Sequence, residues 1–144
     1  VTLGSRAVLA GLASCALVGS CAATAQATPS NGVTGVIISR TTIGDTDYIL
    51  REITIAPGGS TGWHYHDGTL YAVLRQGELS HYGADCAIDQ VGGAGTAFVE
   101  RAGLGNVHLE RNLGTEAQIL DVLYVLPAGS PLSEDAPNPG CAFD

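Results

Sequence analysis

From Val33 to Leu126 no stretch repeats its apolar residues at the three-and-four spacing of a helix. Short runs rich in Val, Ile, Leu, Tyr and Thr are instead cut off by glycine-bearing turns. Branched and aromatic side chains fit a pleated surface, and glycine supplies the backbone conformations that tight turns demand. A chain of this kind must pair its strands with their neighbours and bury one face in a sandwich or a barrel. The pattern predicts an all-β domain with strands over Val33–Ser39, Tyr48–Ala56, Leu70–Leu74, Glu78–Tyr82, Ala97–Glu100, Val107–Arg111 and Ala117–Leu126. Turns are predicted at Pro57-Gly58-Gly59, Asp67-Gly68, Gln76-Gly77, Gly92-Gly93 and Leu113-Gly114. The stretch Glu116–Leu126 lacks glycine and can be read as helical, but the alternation of Ile119, Asp121, Leu123 and Val125 favours a strand. After Pro127, prolines at 131, 137 and 139 predict an extended tail without a core of its own. No internal repeat is visible, and 144 residues suit one domain.

The start of the chain has the three parts of a secretory signal. Arg6 is followed by the small and apolar stretch Ala7–Val18, and Ala25-Gln26-Ala27 offers a cleavage site after Ala27. This divides the chain into a signal over residues 1–27 and a single domain over 28–144. Two other readings stay open: a membrane anchor over Ala7–Ala27, and a lipid anchor at Cys21 in Val18-Gly19-Ser20-Cys21. Without the signal, five arginines face fourteen acids, for a net charge of −9. There is no lysine and no basic cluster, which argues against a nucleic-acid partner and against docking on anionic lipid. The domain keeps Cys86 and Cys141, and an even pair in an exported protein predicts a disulfide. Export also places the domain away from ATP and NAD.

The chemistry rests on four histidines, His64, His66, His81 and His108. His64 and His66 are two apart, so on a strand both rings face the same side and form half of a metal site. Their surroundings extend the pattern. Gly58, five residues, His64, Tyr65, His66, three residues, Leu70, six residues and Gly77 make a first block. Ala97, five residues, Gly103, one residue, Gly105, two residues, His108, three residues and Asn112 make a second. The two blocks resemble the two motifs of the cupin family, G-x5-H-x-H-x3-E-x6-G and G-x5-P-x-G-x2-H-x3-N, with matching spacing at every element. The resemblance covers about Tyr48 to Gly129. It implies a small antiparallel jelly-roll β-barrel that holds a divalent metal inside through His64, His66 and His108.

Three positions depart from the family pattern. Ala97 and Gly103 replace a glycine and a proline, and Leu70 stands where the family places a glutamate ligand. Leu70 cannot bind a metal, so the expected centre has three histidines and no carboxylate. Imidazoles suit Zn, Cu, Ni and Fe better than Mg or Ca, and an exported chain loads its metal outside the cytosol. Zn or Cu is therefore favoured, with Mn and Fe behind. Two functions are compatible with this. One is a metal-dependent, dioxygenase-type enzyme acting on a small polar substrate, with Tyr71 or His81 as candidates for proton handling. The other is a module of the cell envelope that binds a small ligand or a metal without turnover. His81 lies outside both motifs and is expected at a strand end, exposed or hydrogen-bonded. The resemblance also makes a homodimer an option.

Overall fold

A computed structural model describes residues 27–143; the signal segment, apart from Ala27, and the Cys21 alternative lie outside the described residues. The described chain forms ten strands: β1 Asn31–Ile43, β2 Thr46–Ser60, β3 His64–Tyr65, β4 Thr69–Gln76, β5 Leu79–Gly83, β6 Ile88–Gly92, β7 Ala97–Glu100, β8 His108–Glu110, β9 Gln118–Pro127 and β10 Glu134–Asp135. A short 3-10 turn, Leu104–Asn106, precedes β8. All seven predicted strands are present. The glycine-free stretch is the strand β9, paired on one side with β2 and on the other with β4. The short strands β3, β6 and β10 had no periodicity long enough to be read.

The strands make two antiparallel five-stranded sheets, in the orders β1-β2-β9-β4-β7 and β10-β3-β8-β5-β6. Between them lies an apolar core that includes Ile49, Ile55, Leu70, Leu74, Leu79, Phe98, Leu120 and Leu126. Alternation explains this selection. In β9 the even-numbered residues Leu120, Val122, Tyr124 and Leu126 are buried, and Ile119, Asp121 and Val125 between them are half-exposed.

Two expectations are corrected. Pro57-Gly58-Gly59 does not end a strand, because β2 runs on to Ser60. Its pairing with β1 slips between Val33↔Ile55 and Asn31↔Ser60, and Gly58, at φ 76°, absorbs the extra residues as a bulge. The tail is not without a core. β10 pairs with β3, and the Ala136 amide donates to the Trp63 carbonyl at 2.8 Å. Ala136 packs with Trp63, Tyr82 and Leu109, and Phe143 lies 4.8 Å from the Tyr82 ring. The tail thus covers the outer side of the second sheet, whose inner side carries the histidines.

The Cys86–Cys141 disulfide ties this tail to the loop after β5 across 55 residues of sequence. Closing a loop of that length restrains the unfolded chain by about 4 kcal/mol in the entropy model. The double substitution Cys86→Ser and Cys141→Ser should lower unfolding stability by about that much, read as a lower urea midpoint. An unchanged midpoint would mean that packing alone holds the tail.

Candidate metal centre

Register brings the histidines together. His64 on β3 pairs directly with His108 on β8, so their rings share the inner face and their centroids are 4.3 Å apart. His66, two residues beyond His64, points the same way, with ring centroids 4.8 Å apart. The ligand atoms of His64, His66 and His108 lie within 4.8 Å of one another. The three histidines singled out in the sequence are therefore positioned to hold a metal ion.

Each ring is set by a hydrogen bond on its far side. Nδ1–H of His64 donates to the Gly62 carbonyl at 2.8 Å, that of His66 to Leu132 at 2.7 Å, and that of His108 to Asn106 at 2.9 Å. A proton held on Nδ1 leaves the Nε2 lone pair facing inward, which is the form a cation binds. Motif residues outside the ligand set fix the loops that carry these rings. Gly103, at φ 98°, donates its amide to the His66 carbonyl at 2.7 Å. Asn112 is buried and donates to the carbonyls of Ile55 and Glu116 while accepting from Gly114.

A carboxylate, that of Glu100, nonetheless stands beside the three histidines. This residue, on β7, is the antiparallel partner of Leu70 on β4. Directly paired residues face the same side, so the glutamate sits one strand over from the position that lost it. Its Oε2 lies 3.1 Å from His66 Nε2 and 3.4 Å from His108 Nε2. Bonds of about 2.0–2.2 Å to one shared cation place ligand atoms about 3–3.5 Å apart. Leu70 itself is buried in the apolar core.

His81 also belongs to the site. It is buried, its Nδ1 bonds Asp89 Oδ1 at 2.5 Å, and its Nε2 is 3.7 Å from Glu100 Oε1. His81, Glu100 and His108 form a second ligand group that shares His108 with the first. Tyr71, the other candidate for proton handling, is 51% exposed on the opposite face of β4 and does not reach the site. The sequence carried a signal for Glu100, which no motif position marks, and for the burial of His81. Glu100 shares a face with Phe98, and His81 shares one with Leu79, so each is a polar side chain in an otherwise apolar row.

The charges follow from burial and neighbours. Burial, with the His108 and His66 rings beside it, pushes His64 down to about 3, so it is neutral at ordinary pH. Burial works against the Glu100 carboxylate, but His108 and His66 outweigh it and hold the group well below its usual range. Burial likewise opposes protonation of His108, and Glu100 overrides it in the upward direction. Nε2 of His66 and His108 faces the Glu100 carboxylate, while Nε2 of His81 has no hydrogen-bond partner among the described residues. Imidazole nitrogens and carboxylate oxygens thus converge on one another, an arrangement that a bound cation would neutralise.

Two cavities reach the cluster from outside. One of about 680 Å³ is bordered by His81, Asp89, Glu100, Arg101 and His108. Another of about 200 Å³ is bordered by His64, His66, Arg51 and Tyr124. Between the sheets a small void of about 30 Å³ touches His64, His66, Glu100 and Glu110.

Glu110 is buried on β8, two residues past His108, and burial, aided by the Glu100 charge, raises its carboxyl to about 8. Below about pH 4.5 it is protonated whether the chain is folded or not. Between there and about pH 8 the unfolded chain releases the proton and the folded chain retains it, so stability falls as pH rises through this window. In metal-free protein, Glu110→Gln should remove that loss and gain on the order of a few kcal/mol over the parent at pH 8. Urea denaturation at pH 5 and pH 8 checks it; parallel pH trends in parent and variant would refute it.

No protein-family model matches the chain, and no curated protein matches it by sequence. Solved structures do. A cupin-2 domain protein from Rhodospirillum rubrum superposes with a TM-score of 0.57 at 16% identity, over 74% of this chain and 66% of that one. A double-stranded β-helix domain protein from Klebsiella pneumoniae gives 0.54 at 21% identity, over 76% and 90% of the two chains. An oxalate oxidase bound to the substrate analogue glycolate gives 0.55 at 22% identity, over 67% and 52%. Set beside the two antiparallel sheets and the histidine cluster between them, these likenesses identify the fold of this chain as the cupin fold.

Proposed function

We propose that the protein binds one divalent transition metal through His64, His66 and His108, with Glu100 as the carboxylate ligand, and uses it to act on a small polar molecule. The observation that carries this reading is the convergence of the His64, His66 and His108 ligand atoms within 4.8 Å of one another, with the buried Glu100 carboxylate 3.1 and 3.4 Å from two of them. Such a cluster is costly to bury unless a cation neutralises it. The relocated carboxylate adds a hard oxygen donor, which brings Mn and Fe closer to the Zn and Cu favoured by imidazoles alone.

A metal held this way supplies a positive centre that polarises a substrate oxygen and, if Cu, Fe or Mn, electron transfer of the kind a dioxygenase needs. The chain's own residues supply the rest. Gly62, Leu132 and Asn106 carbonyls hold the three rings in the metal-binding tautomer. Asp89 orients His81 so that its Nε2 faces the carboxylate ligand beside the wide cavity. An open mouth with a polar ring near the centre supports turnover over simple capture, so the enzyme reading is preferred to the binding module. The disulfide supports an oxidising location, in keeping with export of residues 28–144 or anchoring at Cys21.

Metal content after purification from an oxidising compartment tests the proposal. Near-stoichiometric metal is expected in the parent and none in the His64→Ala, His66→Ala double variant. Glu100→Gln should weaken metal affinity about 10–100-fold, and adding Leu70→Glu to it should recover much of the loss by restoring a carboxylate on the adjacent strand. A parent that takes up no Zn, Cu, Mn or Fe would refute the reading.

A further inference from the structure

Alternate residues of β2 share a side, which groups Ile49, Arg51, Ile53 and Ile55. Ile49 and Ile55 are fully buried, so Arg51 is an arginine on the inner face of the barrel. An inward, half-buried guanidinium is ordinarily matched by a carboxylate. Among the described residues the ion pairs involve Arg75 and the histidines, not Arg51. The polar contact Arg51 makes is a 3.5 Å hydrogen bond from Nη1 to the Tyr124 hydroxyl. Room for the group is made on β1 by Gly35, where a Cβ would sit 2.1 Å from Arg51 Nη2.

Arg51 borders the cavity of about 200 Å³ that also meets His64, His66, Tyr124 and Ser133. None of the residues lining it lines the wider cavity on the His81 side. The geometry points to a carboxylate subsite here: Arg51 and the Tyr124 hydroxyl hold the carboxylate of a small organic acid whose other end reaches His64 and His66. The planar fork of arginine matches a carboxylate with two parallel hydrogen bonds. The cavity has about the volume of seven water molecules at liquid density, which limits the acid to a few carbons. Asp135 borders the same cavity, and its negative charge disfavours a second carboxylate. The inference deepens the metal-centre reading and rests on it for what the far end of the acid meets; the anchoring by Arg51 does not.

Lactate is the probe, with lactamide as its uncharged counterpart, and metal content is measured in the same samples of the full chain. Calorimetry should show lactate binding to the parent and little for lactamide. Arg51→Gln should weaken lactate binding at least about tenfold while leaving metal content unchanged. Gly35→Ala should weaken it too, because the added methyl displaces the guanidinium. Arg51→Lys, which keeps charge but loses the fork, should fall between parent and Arg51→Gln, and it carries the test if the glutamine variant does not fold. Parental lactate affinity in Arg51→Gln or Gly35→Ala, equal binding of lactamide, or no lactate binding by the parent would overturn the subsite. A parent without metal that still binds lactate through Arg51 would uphold the subsite and overturn the metal centre.

Discussion

Buried imidazole nitrogens packed against a buried carboxylate inside an apolar barrel are the constraint around which this molecule is arranged. Each of His64, His66 and His108 commits its Nδ1 proton to a backbone carbonyl, and each Nε2 then turns inward. Glu100 adds an ionised carboxylate 3.1 Å from one of those nitrogens. In metal-free protein Glu100 favours the protonated form of His108, whose Nε2–H then donates to the carboxylate. A bound cation would make the closeness of these groups favourable, and the Gly62, Leu132 and Asn106 carbonyls hold the three rings in place for one.

The carboxylate illustrates how a sheet brings a side chain from one strand beside a position on the next. A glutamate four residues after His66 would project from β4; here Leu70 fills that place and seals the core. Its cross-strand partner on β7 points the same way, so Glu100 delivers a carboxylate to the same side of the same sheet. Linear motif spacing cannot express this exchange, because it passes through a ladder pairing and not along the chain. The second mouth of the barrel shows a related economy. Gly35 and Arg51, on paired strands, together place at the cavity of His64 and His66 a guanidinium that has no ion-pair partner among the described residues.

Much of the fold was legible because period-two alternation and glycine punctuation are local. The strands from Tyr48 to Leu126 that carry the core followed from it, and the spacing of the histidines placed three rings on one side. What escaped depends on distant partners. The strands β3 and β10 have two residues each and exist through pairing with one another and with β8. The tail looked coreless because its apolar contacts, Ala136 and Phe143, are few and bury against Trp63 and Tyr82. Glu100 stands outside both motifs, and its approach to the histidines depends on the pairing of β7 with β4. Glu100, His81 and Arg51 each share a strand face with apolar residues, and that is the local signal of their inward placement.

The most direct test of the central claim is anomalous diffraction from crystals of the metal-loaded protein, collected at the absorption edge of the metal it retains. The account predicts one strong peak between the sheets, about 2.0–2.2 Å from Nε2 of His64, His66 and His108 and from an oxygen of Glu100. A peak on surface carboxylates alone, or a bound metal with Glu100 turned away from it, would contradict the account.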